Sequence, residues 1–450
     1  MVKFLRKLLG NERGNFLLIA AAAFPLLIGF AGLAVDTIQW VLWKRELQRA
    51  ADSAAIAGVY QRVLTNTQSG VETAVCTDML KNQHTGMPIT GAGAVTCTNG
   101  TTRGPVVLLA DDTVNKVTFP VKVTLTVSRS LTFSSFFGST PPITATATAG
   151  SVPGHDQYCL IALESNPANT GIIGTGNSAV EMDCGMITND PAANSAAANG
   201  SSSMTATVIA SVGGIQSSNN WHVGKYDPYV TAIADPYAAV NVDTTAMKCA
   251  VGPGQGNKTG PIALDNTTNL NNVKDASGNP ANCFTSLSVA SGTSLNLPAG
   301  TYYINAGSVD VQGTLTGTDV TIVLTNTDPS PTASIGTFKM NAQAVMTLKA
   351  PSTGTYKDIA IYQDRRATDI NNANKVNGGS GSTITGALYF PKQELTYNGN
   401  GTLTAICTRF VTRRIIFSGN NSTSNKFAKN CGGSDTPPPF EGGRLVRLVA

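Results

Sequence analysis

Charge is scarce in this chain: Asp, Glu, Lys and Arg make up 13% of its 450 residues, about half the share usual in soluble domains. Aromatic residues reach only 6%, and Gly, Ala, Ser, Thr and Asn take up the difference. That balance belongs to turn-rich β architecture or an extracellular surface, not to a cytosolic enzyme. The net charge of +4 is small for this length, and no basic patch is interleaved with aromatics, so nucleic acid is set aside as a partner. Histidine occurs three times, at His84, His155 and His222. None sits in an HExxH pair or beside a cysteine nucleophile, so surface or packing roles are the ordinary reading. GxSxG is missing, and no CxxC pair exists to start a zinc ribbon or a thioredoxin-type redox motif. No catalytic residue, metal ligand or cofactor site is expected.

What the chain does have is one long apolar run. Phe16 to Val35 carries no charged side chain, and twenty helical residues at about 1.5 Å each span a hydrocarbon core of about 30 Å. Lys3, Arg6, Lys7 and Arg13 precede it, Asp36 ends it, and Trp40 and Trp43 follow at interface spacing. Pro25 lies inside; membranes tolerate such a proline as a kink or packing notch. Secretory signal cores run about 7 to 15 residues before a small-residue cleavage site, and here helical pattern passes straight through that place. After Gly10 or Gly14 the residues do not fit a pilin-type leader. An uncleaved anchor is expected. Beyond it Leu47, Ala50, Ala51, Ala54, Ala55 and Gly58 fall on one helical face. With Pro25, Gly29 and Gly32, these small residues are the candidates for close packing against another helix.

Glu12-Arg13-Gly14-Asn15, the proline-containing apolar helix, Gly32-Leu33-Ala34-Val35-Asp36, and the run from Leu47-Gln48-Arg49-Ala50-Ala51-Asp52 to Gly58 together resemble the amino-terminal segment of TadE/TadG-like proteins of the Tad (Flp) pilus assembly machinery. The resemblance is close over about the first sixty residues. It implies a single-pass protein of a bacterial inner membrane, amino terminus inside and body in the periplasm or at the cell surface. Its implied partners are membrane lipid and other Tad or pilin-like helices, and its implied role is pilus biogenesis, with surface attachment as a further possibility.

Eight cysteines, Cys76, Cys97, Cys159, Cys184, Cys249, Cys283, Cys407 and Cys431, all lie beyond the apolar segment. An even number on one side of a membrane helix fits disulfides in an oxidising compartment. Neighbour pairing (76 with 97, 159 with 184, 249 with 283, 407 with 431) is expected if the body makes local contacts, because short loops close most readily.

Residues 61–104 are mixed and yield no element. Lys116 to Val127 and Ile143 to Ala149 alternate apolar and polar residues, the pattern of half-buried strands. Between them Phe133, Phe136 and Phe137, then Gly138 and Pro141-Pro142, are similar to the stretch beyond the membrane helix in the same family. Later, short β runs recur between Gly, Asn and Ser: 178–182, 204–209, 300–304, 320–324, 345–348, 359–362, 383–390 and 415–418. Helical periodicity is nearly absent there. The expected fold is therefore membrane-anchored and mainly β: a basic tail (1–15), a transmembrane helix (16–35), a juxtamembrane helix (36–60), a β-rich domain (61–150), a β-solenoid-like domain (151–433), and a proline-containing tail with a last strand (434–450).

Three stretches invite chemistry. Gly252 to Thr259 looks like a P-loop, but Asn257 stands where glycine is needed before Lys258. Asp275-Ala-Ser277-Gly-Asn279 approaches the metal site of von Willebrand A domains, but Asn279 breaks it and the α/β alternation is missing. Asp364-Arg365-Arg366 with Asp310 and Asp319 offers an alternative function, a membrane-tethered β-helical protein that binds or cleaves polysaccharide, because paired carboxylates about 5 to 10 Å apart can act as acid and base. A solvated charge cluster is the plainer reading. The expected function is a non-enzymatic envelope component of pilus assembly.

Overall fold

Apolar spacing decides how much of the first helix is covered by the rest of the chain. The structure is a computed structural model that describes residues 12–81, 106–128, 130–131, 133, 135, 142–154, 156–253, 259–378, 381–399, 407–419, 425–427, 439–442 and 444–449. It divides into one unit of Met1–Pro153 with Leu445–Ala450 and a second of Gly154–Arg444.

In the first unit a single helix, α1, runs from Glu12 to Thr65, about 80 Å at 1.5 Å per residue. Its outer part leaves Ile19, Phe24, Leu27, Phe30, Leu33 and Ile38 exposed, Phe30 at 70%, and it is long and apolar enough to cross a membrane. From Leu47 onward one face is fully covered: Leu47, Ala51, Ala54, Ala55 and Val59 have no exposed surface. Asn66, at φ 47, breaks the helix and donates its N–H back to the Arg62 carbonyl. A second helix, α2 (Gln68–Lys81), then folds back along α1, with Ser53 donating to Asp78 and Gly58 lying against Val71 and Val75. Sequence pattern assigns no element to 61–104. Val71, Val75 and Met79, all buried, do carry an i, i+4, i+8 stripe, but the exposed Thr73 and Thr77 between them dilute it.

Strands β1 (Val106–Leu108), β2 (Thr118–Ser128) and β3 (Pro142–Pro153) are antiparallel neighbours, with Val123 opposite Ala147 and Leu125 opposite Ala145. Alternation places Val121, Val123, Leu125, Ile143, Ala145 and Ala147 on the face that meets α1 and α2. The strand Arg444–Leu448 adds a fourth member beside β3. The last strand expected from the sequence is thus present, and its neighbour is the sheet of the first unit.

In the second unit the strands are short and pair almost entirely in parallel. One ladder runs through Val289, Val311, Met340, Val376, Tyr397, Phe417, Gly174 and Ala198. Another runs through Cys283, Tyr303, Val323, Tyr362, Tyr389, Val411, Ile161, Ile187, Ala210 and Asp227. A third begins at Leu297, Gly317, Leu348 and Ile384. Their inward side chains form one continuous apolar core.

Order along these ladders is not order along the chain. Thr408–Gly419 lies between Thr383–Gly399 on one side and both Gln157–Ala162 and Ile172–Gly174 on the other. The first strands of the unit are therefore in the middle of the ladder. One end is Leu264–Asp265 with Cys283–Phe284, and the other is Trp221–Pro228. The segment 229–263 joins the two ends. Contacts are therefore not local where residues 408–419 meet residues 157–174, while the expected neighbour pairs Cys159–Cys184 and Cys249–Cys283 both form.

Val320–Thr325 and Ile359–Gln363 are buried at every position, and segment 229–249 covers the second of them. A run buried on both faces needs a cover on each, and Tyr362 and Arg365 donate to the Val240 carbonyl, Arg365 to that of Tyr237, and Tyr389 to the Asp235 carboxylate. Asn189 exchanges two hydrogen bonds with Ile233.

Candidate functional site

Small residues on α1 are expected from sequence to receive another helix, and the structure gives most of that face a different neighbour. Ala51, Ala54, Ala55 and Gly58 are buried against α2 and the sheet of the same chain, and Ala50 is half-buried beside them. A methyl-sized side chain is what allows β2 and β3 to lie close to the helix, and two antiparallel strands supply the apolar surface that sequence pattern assigns to a partner. Lys44 and Gln48 donate to the Thr144 and Thr146 carbonyls of β3, and Arg62 donates to those of Leu109 and Pro120 at 2.9 and 2.6 Å.

Gly32 is also filled from within: a Cβ there would lie 2.5 Å from the Phe133 ring. Phe133 in turn donates its N–H to the buried Asp36 carboxylate at 3.2 Å. Gly29 differs, with nothing within 4 Å of its would-be Cβ. Pro25 lies inside an unbroken helix. The surface left open on α1 is therefore the large apolar one around Phe24, Leu27 and Phe30.

The carboxylates considered for catalysis are held apart. Asp319 precedes Val320–Thr325, and the Asp364 carboxylate accepts from the Thr325 hydroxyl at the far end of that strand, at 2.7 Å. Six strand residues at about 3.3 Å separate the two by about 20 Å, well beyond an acid–base pair. Asp364 also pairs with Arg366 at 2.7 Å. Burial pushes the Asp364 carboxyl up, and the Arg366 donors with the Thr325 hydroxyl outweigh it and hold it below the usual carboxylate range. Asp310 stands on Val309–Val311, next to Ser288 and Lys339 in the ladder. Arg365 is taken up with Tyr389 and segment 229–249.

Asp275 accepts from the Ser277 and Asn279 backbones in an exposed turn. Val251–Pro253 and Thr259–Pro261 form a two-stranded antiparallel hairpin, not a strand leading to a helix. Residues 254–258, His84 and His155 lie outside the described residues; His222 is exposed on Trp221–Pro228. Among the described residues no group of His, Cys, Asp and Glu could hold a metal ion.

Cys159 is bonded to Cys184 and Cys249 to Cys283. Cys76 and Cys407 are disulfide-bonded as well, and Cys97 and Cys431 lie outside the described residues. The Cys249–Cys283 bond fastens segment 229–249 to one end of the ladder.

The largest buried charge cluster belongs to no sequence motif. Glu164, with no exposed surface, accepts from Arg413 Nε at 3.1 Å and Arg414 Nη1 at 2.6 Å, from the Ser165 and Asn166 N–H groups, and from Asn169 Nδ2. Arg414 also reaches Asp369 at 2.8 Å and Glu394 at 3.5 Å. Burial pushes the Glu164 carboxyl up, but the donors from Arg414, Arg413 and the two backbone N–H groups outweigh it and hold it at about 2. This cluster sits where Thr408–Gly419 meets Gln157–Ala162, and it is occupied on every side.

The outward-facing surface that the chain's own packing leaves unexplained is thus the apolar length of α1, continuous with a face buried under its own sheet. No curated protein and no solved structure matches the chain. Residues 14–61, which carry that apolar length, Pro25 and the buried alanine face, match the family model described as putative Flp pilus-assembly TadE/G-like, without an accompanying von Willebrand A domain.

Proposed function

We propose that the chain is a non-enzymatic, single-pass envelope component of Tad/Flp-type pilus assembly. The observation that carries this reading is the division of α1: residues matching the pilus-assembly family expose Phe24, Leu27, Phe30 and Leu33 along one end and bury Ala51, Ala54 and Ala55 at the other. Exposed apolar side chains over that length are stable in lipid and costly in water. The amino terminus lies in the cytoplasm, the helix crosses the inner membrane, and the remaining body stands on the periplasmic side. The disulfides Cys159–Cys184 and Cys249–Cys283 support that side, because such bonds persist in oxidising compartments.

The body is a β-solenoid whose coils stack through the three parallel ladders, and its role is to present a rigid, charge-poor surface outside the membrane. Partner helices contact the apolar end of α1 around Pro25 and Gly29, since the alanine face is already filled. Protease added to intact spheroplasts should digest the body, and deletion of the chain should abolish or alter Tad pili. Full protection of the body would overturn the topology. Normal piliation in the deletion strain, together with glycan cleavage by the purified chain, would replace this reading with the polysaccharide one.

A further inference from the structure

We propose that the edge strand Trp221–Pro228 is a contact surface for a second copy of this chain, the two strands pairing antiparallel about a two-fold axis between Gly224 and Lys225. Trp221–Pro228 pairs with Ser203–Ser211 on one side, and among the described residues no strand pairs with its other side. Its N–H and C=O groups on that side form a ready template for another strand. Tyr226 and the adjoining Tyr229 are 50% and 66% exposed there.

The opposite end of the ladder is closed. The hairpin of Val251–Pro253 and Thr259–Pro261 stands there with the Cys249–Cys283 bond, and Ile262, Leu270, Val273 and Ala281 pack against the core. A head-to-tail run of copies has no second edge to use, whereas a two-fold brings the same edge to itself and closes.

The strand is self-complementary in that arrangement. Ser203–Ser211 pairs with both Ala179–Met182 and Gly185–Thr188, so Trp221–Pro228 runs beside it across two ladders and turns between them at Gly224. Gly224 lies against the Thr207 carbonyl, 2.9 Å from where a Cβ would be. Before the turn Val223 packs against the core; after it Tyr226 stands in register with the core residue Ile209, its hydroxyl donating to the Trp221 carbonyl at 3.4 Å. Setting Gly224 opposite the partner's Lys225 places Val223 against the partner's Tyr226 on the core side. On the outer side it places His222 against the partner's Asp227. An aromatic–β-branched pair is a favourable cross-strand combination, and an imidazole N–H can donate to the facing carboxylate. Lys225, which alone would repel its copy near the axis, is already paired with Asp227 at 2.7 Å and Asp156 at 3.2 Å.

The test uses the full-length chain in detergent. Sedimentation should show a dimer for the native chain, and Tyr226→Arg, a change at a half-exposed site, should weaken dimerisation by about tenfold or more. Mixing His222→Cys chains with Asp227→Cys chains under mild oxidation should give a cross-linked dimer that neither variant gives alone. A native chain that stays monomeric overturns the proposal. So does a dimer indifferent to Tyr226→Arg and silent in the cross-linking, which would be held together by α1, and so does an edge that captures a different protein while the chain itself stays monomeric.

Discussion

Arg414 and Glu164 are 250 residues apart in the chain, yet Nη1 of one lies 2.6 Å from Oε2 of the other, and both side chains are buried. The pair bridges the strand Thr408–Gly419 and the residues just after Gln157–Ala162. Arg413 joins it from the same strand, and Asp369 and Glu394 add two further carboxylates around the two guanidiniums.

Replacing Glu164 with Gln should therefore cost about 3 kcal/mol or more, because it leaves a 4% exposed Arg414 short of its strongest partner. Urea unfolding monitored by tryptophan fluorescence would measure it. A change below about 1 kcal/mol would show that Asp369 and Glu394 suffice.

The same carboxylate sets a pH dependence. Its folded pKa of about 2 lies below the unfolded value of 4.5, so its stabilisation is complete above about pH 5 and is lost as pH falls toward 2. The size is about 3 kcal/mol by linkage. Unfolding midpoints measured from pH 6 to pH 2 should fall steeply in the native chain and less steeply in Glu164→Gln. Parallel slopes would assign the acid sensitivity elsewhere.

On α1, Ala54→Leu and Gly29→Leu should behave in opposite ways. Ala54 has no exposed surface beneath the sheet, so added methylenes strain the packing by about 1–3 kcal/mol. Gly29 has open space, so its substitution should leave the melting temperature unchanged. If Gly29→Leu nevertheless impairs piliation, the defect belongs to a contact with another helix. Equal melting temperatures for the two variants would contradict the packing described for Ala54.

Gly176 has φ +67, and a Cβ there would meet the Gly419 carbonyl oxygen at 2.9 Å. Gly176→Ala should cost about 2 kcal/mol or more, since a left-handed backbone and a backbone clash add. Gly278, at φ +84 with nothing within 4 Å, isolates the backbone part, so Gly278→Ala should cost only about 1 kcal/mol. Thermal unfolding of the two variants would compare them.

Cutting the Cys249–Cys283 bond by Cys249→Ser should release one end of the segment that covers Tyr362 and Tyr389. Closing a loop of sequence separation 34 is worth about 3–4 kcal/mol. Limited proteolysis should then cleave within 229–249 while the native chain resists. Equal resistance would show that Arg365, Asp235 and Tyr237 hold the segment unaided.

Much of the fold is visible in the residues. Period-two alternation locates β2 and β3, and short apolar runs at 320–324, 359–362 and 383–390 fall inside strands Val320–Thr325, Ile359–Gln363 and Thr383–Gly399, because each reports burial of its own side chains. The apolar length of α1 is equally plain. Sequence cannot name the occupant of the alanine face: Ala51 and Ala54 look the same whether a foreign helix or the chain's own sheet covers them. It carries no sign that Thr408–Gly419 pairs with Gln157–Ala162, since parallel pairing leaves no turn motif to read. Glu164 and Arg414 belong to no spacing pattern, and only the fold makes them neighbours. The all-buried run 359–363 does signal a second cover, but segment 229–249, rich in Ala, Asp and Tyr, has no periodicity to mark it as the source.

Ribosomes deliver the strands in an order that the finished ladder does not keep. Gln157–Ala162 emerges early and must wait, with one flank unpaired, until residues 408–419 arrive some 250 positions later. Contacts of such long sequence separation are slow to form, and unpaired strand flanks are sticky while they wait. Whatever shields that flank must therefore stay until residues 408–419 are in place, so the delay is set by the carboxyl-terminal part of the body and not by its first strands.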